Sequence, residues 1–121
     1  MGQFLNRDLI VIGEGGILYK VRAHTDDLGY VAVTAKPYTR RWFRPRRGDF
    51  VVDVGAHIGR FSLAAARAGA SVVAVEPNPE TFSVLAVNVG LNGFRNVRLV
   101  NAEKGIKRLQ QHQGDTRWFL R

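Results

Sequence analysis

The sequence predicts an α/β fold: a Rossmann-like partial parallel sheet of βαβαβ order with an N-terminal β extension. Three observations carry this expectation. The apolar run from Phe50 to Val54 meets a glycine turn and then a helix-forming stretch, FSLAAARAG. A second apolar strand, SVVAVEP, follows, and then a third, NVRLVN, with room for one helix in each interval. Strands that alternate with helices argue a parallel sheet with right-handed crossovers.

The elements follow in order. RDLIVIGEGGILYKVRA reads as two strands around Gly-Glu-Gly-Gly. Glycines supply the positive φ angles of a tight hairpin turn. A phosphate-binding glycine loop is the alternative, and it is disfavoured because a strand follows, not a helix. HTDD is turn chemistry, and LGYVAVTA resumes as extended chain or a short helix. TAKPYTRRWFRPRRGD is a basic, aromatic connector whose end is marked by Pro45 and Gly48. Residues 1–49 thus read as hairpin extension and connector, and 50–121 as the Rossmann-like domain. In the first helix Phe61, Ala64, Ala65 and Ala68 share a face, and Gly69 is a stop signal. The second begins with Asn78 as cap and Pro79 in its first turn. Phe82, Leu85, Ala86 and Val89 form its expected buried stripe, and Asn92-Gly93 ends it. The tail offers a short helix and then TRWFL as a strand. The first central strand needs a neighbour on its second side, or an apolar edge stays open. TRWFL, the hairpin or a second chain are the three ways to fill that place.

At 121 residues the chain holds one domain at most. It has no cysteine, which excludes disulfides and thiolate metal sites. No apolar run approaches the ~20 residues of a membrane span. Asp8 and Glu14 interrupt the short apolar stretch at the start, so no secretory signal is read there. The default expectation is a cytoplasmic protein without membrane contact. The formal charge of +8 suggests an anionic partner or a basic proteome, and says nothing of fold.

The chemistry gathers at the loop after Phe50–Val54. A strand, a tight glycine loop and a helix N-terminus let a ligand approach backbone N–H groups at the positive end of a helix dipole. Glu76 ends the next strand, twenty-one residues after Gly55. That is close to the spacing at which a βαβ unit sets a carboxylate on a ribose. The competing reading of Glu76 is a solvated acid capping the next helix. Together the loop and the acid describe a nucleoside-cofactor site. A dinucleotide fingerprint fails in register, because His57 and Arg60 occupy the later glycine positions. A Walker loop is excluded, since no Gly-Lys-Ser/Thr follows. His57 has no second His, Cys or paired carboxylate at ligand spacing, so no metal is expected.

What remains is Asp-x-Gly-x-His-x-Gly, which resembles motif I of class I S-adenosylmethionine-dependent methyltransferases. The run from VVDVGAHIGRF through VEPNPE to NVRLVNA resembles the FkbM-type methyltransferase family and covers about half of the chain. The resemblance implies S-adenosylmethionine as cofactor and transfer of its methyl group to an acceptor, often a hydroxyl oxygen. It implies a cofactor-binding set of Asp53, Gly55, Ala56, His57, Gly59, Glu76, Pro77, Asn78, Asn101 and Ala102. In that set Asp53 would position the methionyl amine, and His57 would lie beside the methionine moiety without moving protons. Asn101 and Ala102 would meet the adenine, although Asn101 stands where many such enzymes carry Asp. The acceptor, a small molecule or glycan, stays unknown. The family's acceptor site falls after the fourth strand, where this chain ends, so no catalytic residue is named. Little activity of the chain alone is expected, with self-association or a second subunit.

Arg40, Arg41, Arg44, Arg46 and Arg47 alternate with Tyr38, Trp42 and Phe43. Arginine handles phosphates and aromatics stack bases. The alternative function is therefore an RNA methyltransferase or RNA-binding module, since the loop is also similar to that of tRNA guanosine methyltransferases. The favoured reading of the cluster is a solvated connector, which leaves nucleic acid the lesser partner. A third reading is a non-catalytic assembly module.

Overall fold

The computed structural model describes residues 9–33, 44–101 and 118–120. Strands β1 (Leu9–Glu14) and β2 (Ile17–Arg22) form an antiparallel hairpin. Its two-residue turn is Gly15-Gly16, with φ of 58° and 78°. Both angles lie in the left-handed region that glycine reaches without steric cost. Helix α1 (Asp27–Val33) follows, so LGYVAV is helical rather than extended. Thr25 shapes the turn before it: its Oγ donates to the Arg22 carbonyl at 2.8 Å and accepts from Asp27 N at 3.2 Å.

Strand β3 (Phe50–Val54), helix α2 (Arg60–Arg67), strand β4 (Ser71–Val75), helix α3 (Pro79–Leu91) and strand β5 (Val97–Val100) then alternate as expected. Strand β6 (Trp118–Leu120) pairs parallel with β3, in register Phe50 with Trp118 through Val52 with Leu120. The sheet order is β5-β4-β3-β6, and all its neighbours are parallel. The fold is a mixed α/β, Rossmann-like arrangement. TRWFL therefore supplies the second neighbour of β3, and the open edge that argued for a second chain is covered over Phe50–Val52. The chain order reverses at β3, which makes the loop at its carboxyl end a topological switch point.

Helix α2 departs from the expected stripe. Phe61, Leu63, Ala65 and Ala66 are buried, as are Arg60 and Ser62, whereas Ala68 is exposed. The reason is a cover on both sides. Tyr19 of β2 is fully buried, and the Arg60 guanidinium lies 5.7 Å over its ring. Arg60 also donates to the Tyr19 hydroxyl at 3.1 Å. Helix α3 starts as read: Asn78 caps it, accepting from Thr81 N at 3.0 Å. Its buried set is Thr81, Val84, Leu85, Asn88 and Val89; it shares Leu85 and Val89 with the expected stripe, whereas Phe82 and Ala86 are half-buried. One core cluster joins Ile17, Tyr19 and Val21 of the hairpin to Val51, Phe61, Leu63, Val72 and Leu85.

The seam between hairpin and α3 is polar and satisfied. Along β2, Leu18, Lys20 and Arg22 turn their N–H groups away from β1. Leu18 N donates to Asn92 Oδ1 at 2.8 Å, Lys20 N to Asn88 Oδ1 at 2.6 Å, and Arg22 N to Asp27 Oδ2 at 3.0 Å. Asn88 and Asn92 lie one helical turn apart and return donors to the carbonyls of Lys20 and Leu18. Two helix side chains thus complete a strand edge that backbone pairing would otherwise leave open.

Candidate functional site

The loop from Gly55 to Gly59 folds back over the sheet. Gly55 N and Ala56 N both donate to the Val75 carbonyl, at 2.8 and 2.9 Å. Gly55 has φ 74°, is exposed, and a Cβ built there would meet no atom within 4 Å. Open space thus faces its backbone. Gly59 serves packing. It caps α2 with φ 104°, and a Cβ there would approach Leu85 Cδ1 to 2.9 Å.

Glu76 joins the two halves of the crevice. It is 7 % exposed, at the carboxyl end of β4. One carboxylate oxygen accepts from His57 N at 2.9 Å and the other from Asn78 N at 3.0 Å. A carboxylate has about four acceptor positions, so two remain after these bonds. Ribose hydroxyls are diol donors of the kind such an acid recognises. Pro77 and Asn78 stand exposed beside it. Asn101, also exposed, donates from Nδ2 to the Glu76 carbonyl at 2.8 Å, tying the end of β5 to that of β4. Ala102 lies outside the described residues.

Asp53 and Ala56 are fully buried beneath the loop. Ser62 Oγ donates to Asp53 Oδ2 at 2.7 Å, fastening the first turn of α2 to β3. Asp53 presents no surface of its own to the crevice.

His57 carries φ 57°, an uncommon angle for a residue with a side chain. Its Nε2 lies 3.6 Å from Asp27 Oδ1. Asp27 is fully buried and gripped by Arg22: Nε–Oδ2 is 2.8 Å and NH2–Oδ1 is 3.0 Å. Arg22 NH1 also reaches Thr81 Oγ1 at 3.1 Å. Burial pushes the Asp27 carboxyl up, but the Arg22 hydrogen bonds and the charges of Arg22 and His57 outweigh it. The group is held below the usual carboxylate range. Its bond to Asp27 raises Arg22 in turn. Asp26, Asp27 and His57 bring ligand atoms within 4.8 Å of one another. Sequence spacing gave no hint of this, because thirty residues separate His57 from Asp27. The guanidinium already occupies both Asp27 oxygens, and its positive charge opposes a cation there.

Asp27, Arg22, Ser62 and Asn88 were not singled out from sequence. Asn88 had a signal: a lone amide within VLAVNVGL, one turn beyond Val84 and Leu85. A buried amide in an apolar stripe needs dedicated partners, and here it has three: Lys20 N, Lys20 O and Ile58 O. Arg40 and Arg41 lie outside the described residues, whereas Arg44, Arg46 and Arg47 are exposed. No helix among the described residues is long and apolar enough to cross a membrane.

Comparison with known proteins separates families that share this crevice. The model of the TRM5/TYW2 methyltransferase domain matches residues 10–116. The chain is 40% identical over 57 residues to a tRNA (guanine(37)-N(1))-methyltransferase of Anopheles darlingi, covering 46% of this chain and 11% of the relative. It is 52% identical over 46 residues to the Danio rerio enzyme of the same description, covering 38% and 10%. The crystal structure of M. jannaschii TYW2 in complex with AdoMet superposes with a TM-score of 0.66 at 26% identity, over 81% of this chain and 45% of that one. The chain thus spans only about a tenth of the length of these two curated relatives. The FkbM-type resemblance is overturned by the family match. The run that carried it begins at Val51 and leaves out the hairpin. The matching family model starts at residue 10 and so includes the hairpin.

Proposed function

The chain belongs to the TRM5/TYW2 methyltransferase family, and from that premise we propose that its fold binds S-adenosylmethionine and serves methyl transfer to a tRNA base. The observation that carries the cofactor reading is Glu76, pinned between the Gly55–Gly59 loop and the start of α3 with acceptor capacity left. The open space at Gly55 supports the fit, since a ligand can lie against the backbone there. AdoMet in the TYW2 structure supports the same choice of cofactor.

When bound, the cofactor supplies a sulfonium methyl group, an intrinsically good donor. The residues of this chain bind and align. Glu76 would accept from the ribose hydroxyls. Gly55 and His57 would line the methionine moiety with backbone, held by the Val75 carbonyl and the Glu76 carboxylate. Asn101 and Ala102 would border the adenine. Alignment and desolvation of the nucleophile are the protein's share of such a reaction.

The acceptor reading changes with the family. The relatives' descriptions place the methyl group on N1 of a guanine, a ring nitrogen rather than a hydroxyl oxygen. Transfer to a glycan or small-molecule hydroxyl therefore gives way to transfer to RNA, and nucleic acid becomes the leading partner. Calorimetry with S-adenosylhomocysteine and with NAD, followed by label transfer from methyl-labelled cofactor to unmodified tRNA, tests this. Binding of S-adenosylhomocysteine is expected, and whatever label is transferred is expected in the RNA base. Preference for NAD would sink the cofactor assignment, and label appearing only on hydroxyl acceptors would sink the RNA assignment.

A further inference from the structure

The parallel strands give the sheet two different ends. The cofactor crevice lies at the carboxyl ends of β3, β4 and β5. The segments that enter those strands meet at the other end. Ser71 N donates to the Asp49 carbonyl at 2.9 Å and Val72 N to the Asn96 carbonyl at 2.8 Å. Asn96 Nδ2 binds the carbonyls of Ala66 and Ala70, at 2.8 and 2.7 Å. A Cβ at Gly69 would lie 3.2 Å from Arg47 Cα, so these two loops touch.

Among the described residues, six exposed arginines decorate this end and its flank: Arg44, Arg46 and Arg47 before β3, Arg67 closing α2, and Arg95 and Arg98 around the start of β5. Among the described side chains the carboxylate here is Asp49, only 3% exposed and engaged by Arg46 N at 2.8 Å. Of the acids whose side chains are described, Asp26, Asp27, Asp53, Glu76 and Glu80 sit towards the crevice. Among the described side chains, charge is thus separated along the strand direction.

We propose that this amino-terminal end is a docking surface for the phosphate backbone of RNA, distinct from the crevice where a base would react. It rests on the RNA reading above for its choice of partner. The exposed cations described at this end are arginines, whose planar forks match phosphate oxygens bidentately. Strand β3 is five residues long, so the two ends lie roughly 16 Å apart at ~3.3 Å per residue. A phosphate held here belongs to a part of the RNA remote from the reacting base. Backbone contacts of this kind fix register and orientation without reading sequence.

The test uses the full chain, an unmodified tRNA transcript and a salt series. The pair Arg47→Gln with Arg95→Gln is compared with wild type. RNA affinity should fall roughly ten-fold per arginine at low salt, and the slope of log affinity against log salt should fall by about 1 per arginine. Affinity for S-adenosylhomocysteine should stay as in wild type. Should this pair not fold, Arg44→Gln with Arg98→Gln tests the same end. Unchanged RNA affinity and slope would overturn the proposal. So would a wild type that binds phosphatidylserine vesicles at this end and no RNA. If wild type binds RNA through these arginines but no S-adenosylhomocysteine, the docking surface stands and the cofactor reading falls.

Discussion

The crevice and the hairpin seam are built on different scales of sequence. Crevice residues Asp53 to Asn78 lie within one βαβ unit, and their bonds join its first strand and loop to its helix and second strand. The seam joins residues 18–27 to residues 57–92 through Asn88, Asn92, Asp27 and His57. The first is a local pattern that many proteins share. The second reaches across the chain, and it touches the loop at His57 and Ile58 from outside. The difference teaches that the loop's shape is local while its rigidity is borrowed from the hairpin.

The largest effect should come from cutting the deepest link of the seam. Asp27→Ala leaves Arg22 without its buried partner, and breaking such a pair costs about 3–5 kcal/mol. Arg22 keeps some contact with water, which argues for the lower figure. Chemical denaturation of wild type and variant measures it. The pH dependence has a definite sign. The folded carboxyl lies below its usual range, so its stabilisation is complete above that range and is lost as pH falls through the folded value. The stability gap between wild type and Asp27→Ala should therefore close in acid and stay open at neutral pH. A gap independent of pH would break the account of the seam.

Asn88→Ala should follow, at about 3 kcal/mol, since it strands two carbonyls and one N–H, each costing ~1–3 kcal/mol when buried. Hydrogen exchange should show the loss at Lys20 and at the residues after Ile58 together. Loss confined to the hairpin would separate seam from loop. Smaller still are the two glycines. Gly59→Ala sets a Cβ against Leu85 in a left-handed conformation and should cost about 2 kcal/mol. Gly55→Ala has the space but not the angle, and should cost about 1 kcal/mol. The ranking reverses for S-adenosylhomocysteine affinity: Gly55→Ala should weaken it more, because its methyl enters the open side of the loop. Calorimetry beside thermal melts reads both orders.

Legibility followed the same division. FVVDVGAHIGRF and VVAVEP announced strand, loop, helix and acid because each signal is carried by adjacent residues. The glycine hairpin, the Asn78 cap and TRWFL were equally local. The stripes of α2 and α3 were misread because amphipathic spacing assumes one buried side, and Tyr19, Arg60 and Asn88 show two. Asp27 and His57 met only through folding, so no spacing could pair them. The family was misassigned for a related reason: the run that carried the resemblance leaves out the hairpin, and the distinguishing match extends into it.

The central claim is that Glu76 is the acid that takes the cofactor's ribose. Titration of S-adenosylhomocysteine into wild type and Glu76→Ala tests it most directly, with thermal melts to confirm that both are folded. Losing a charged hydrogen-bond partner costs ~1.5–3 kcal/mol, so a folded Glu76→Ala should bind roughly ten- to hundred-fold more weakly. An unchanged dissociation constant in a folded variant would contradict the assignment.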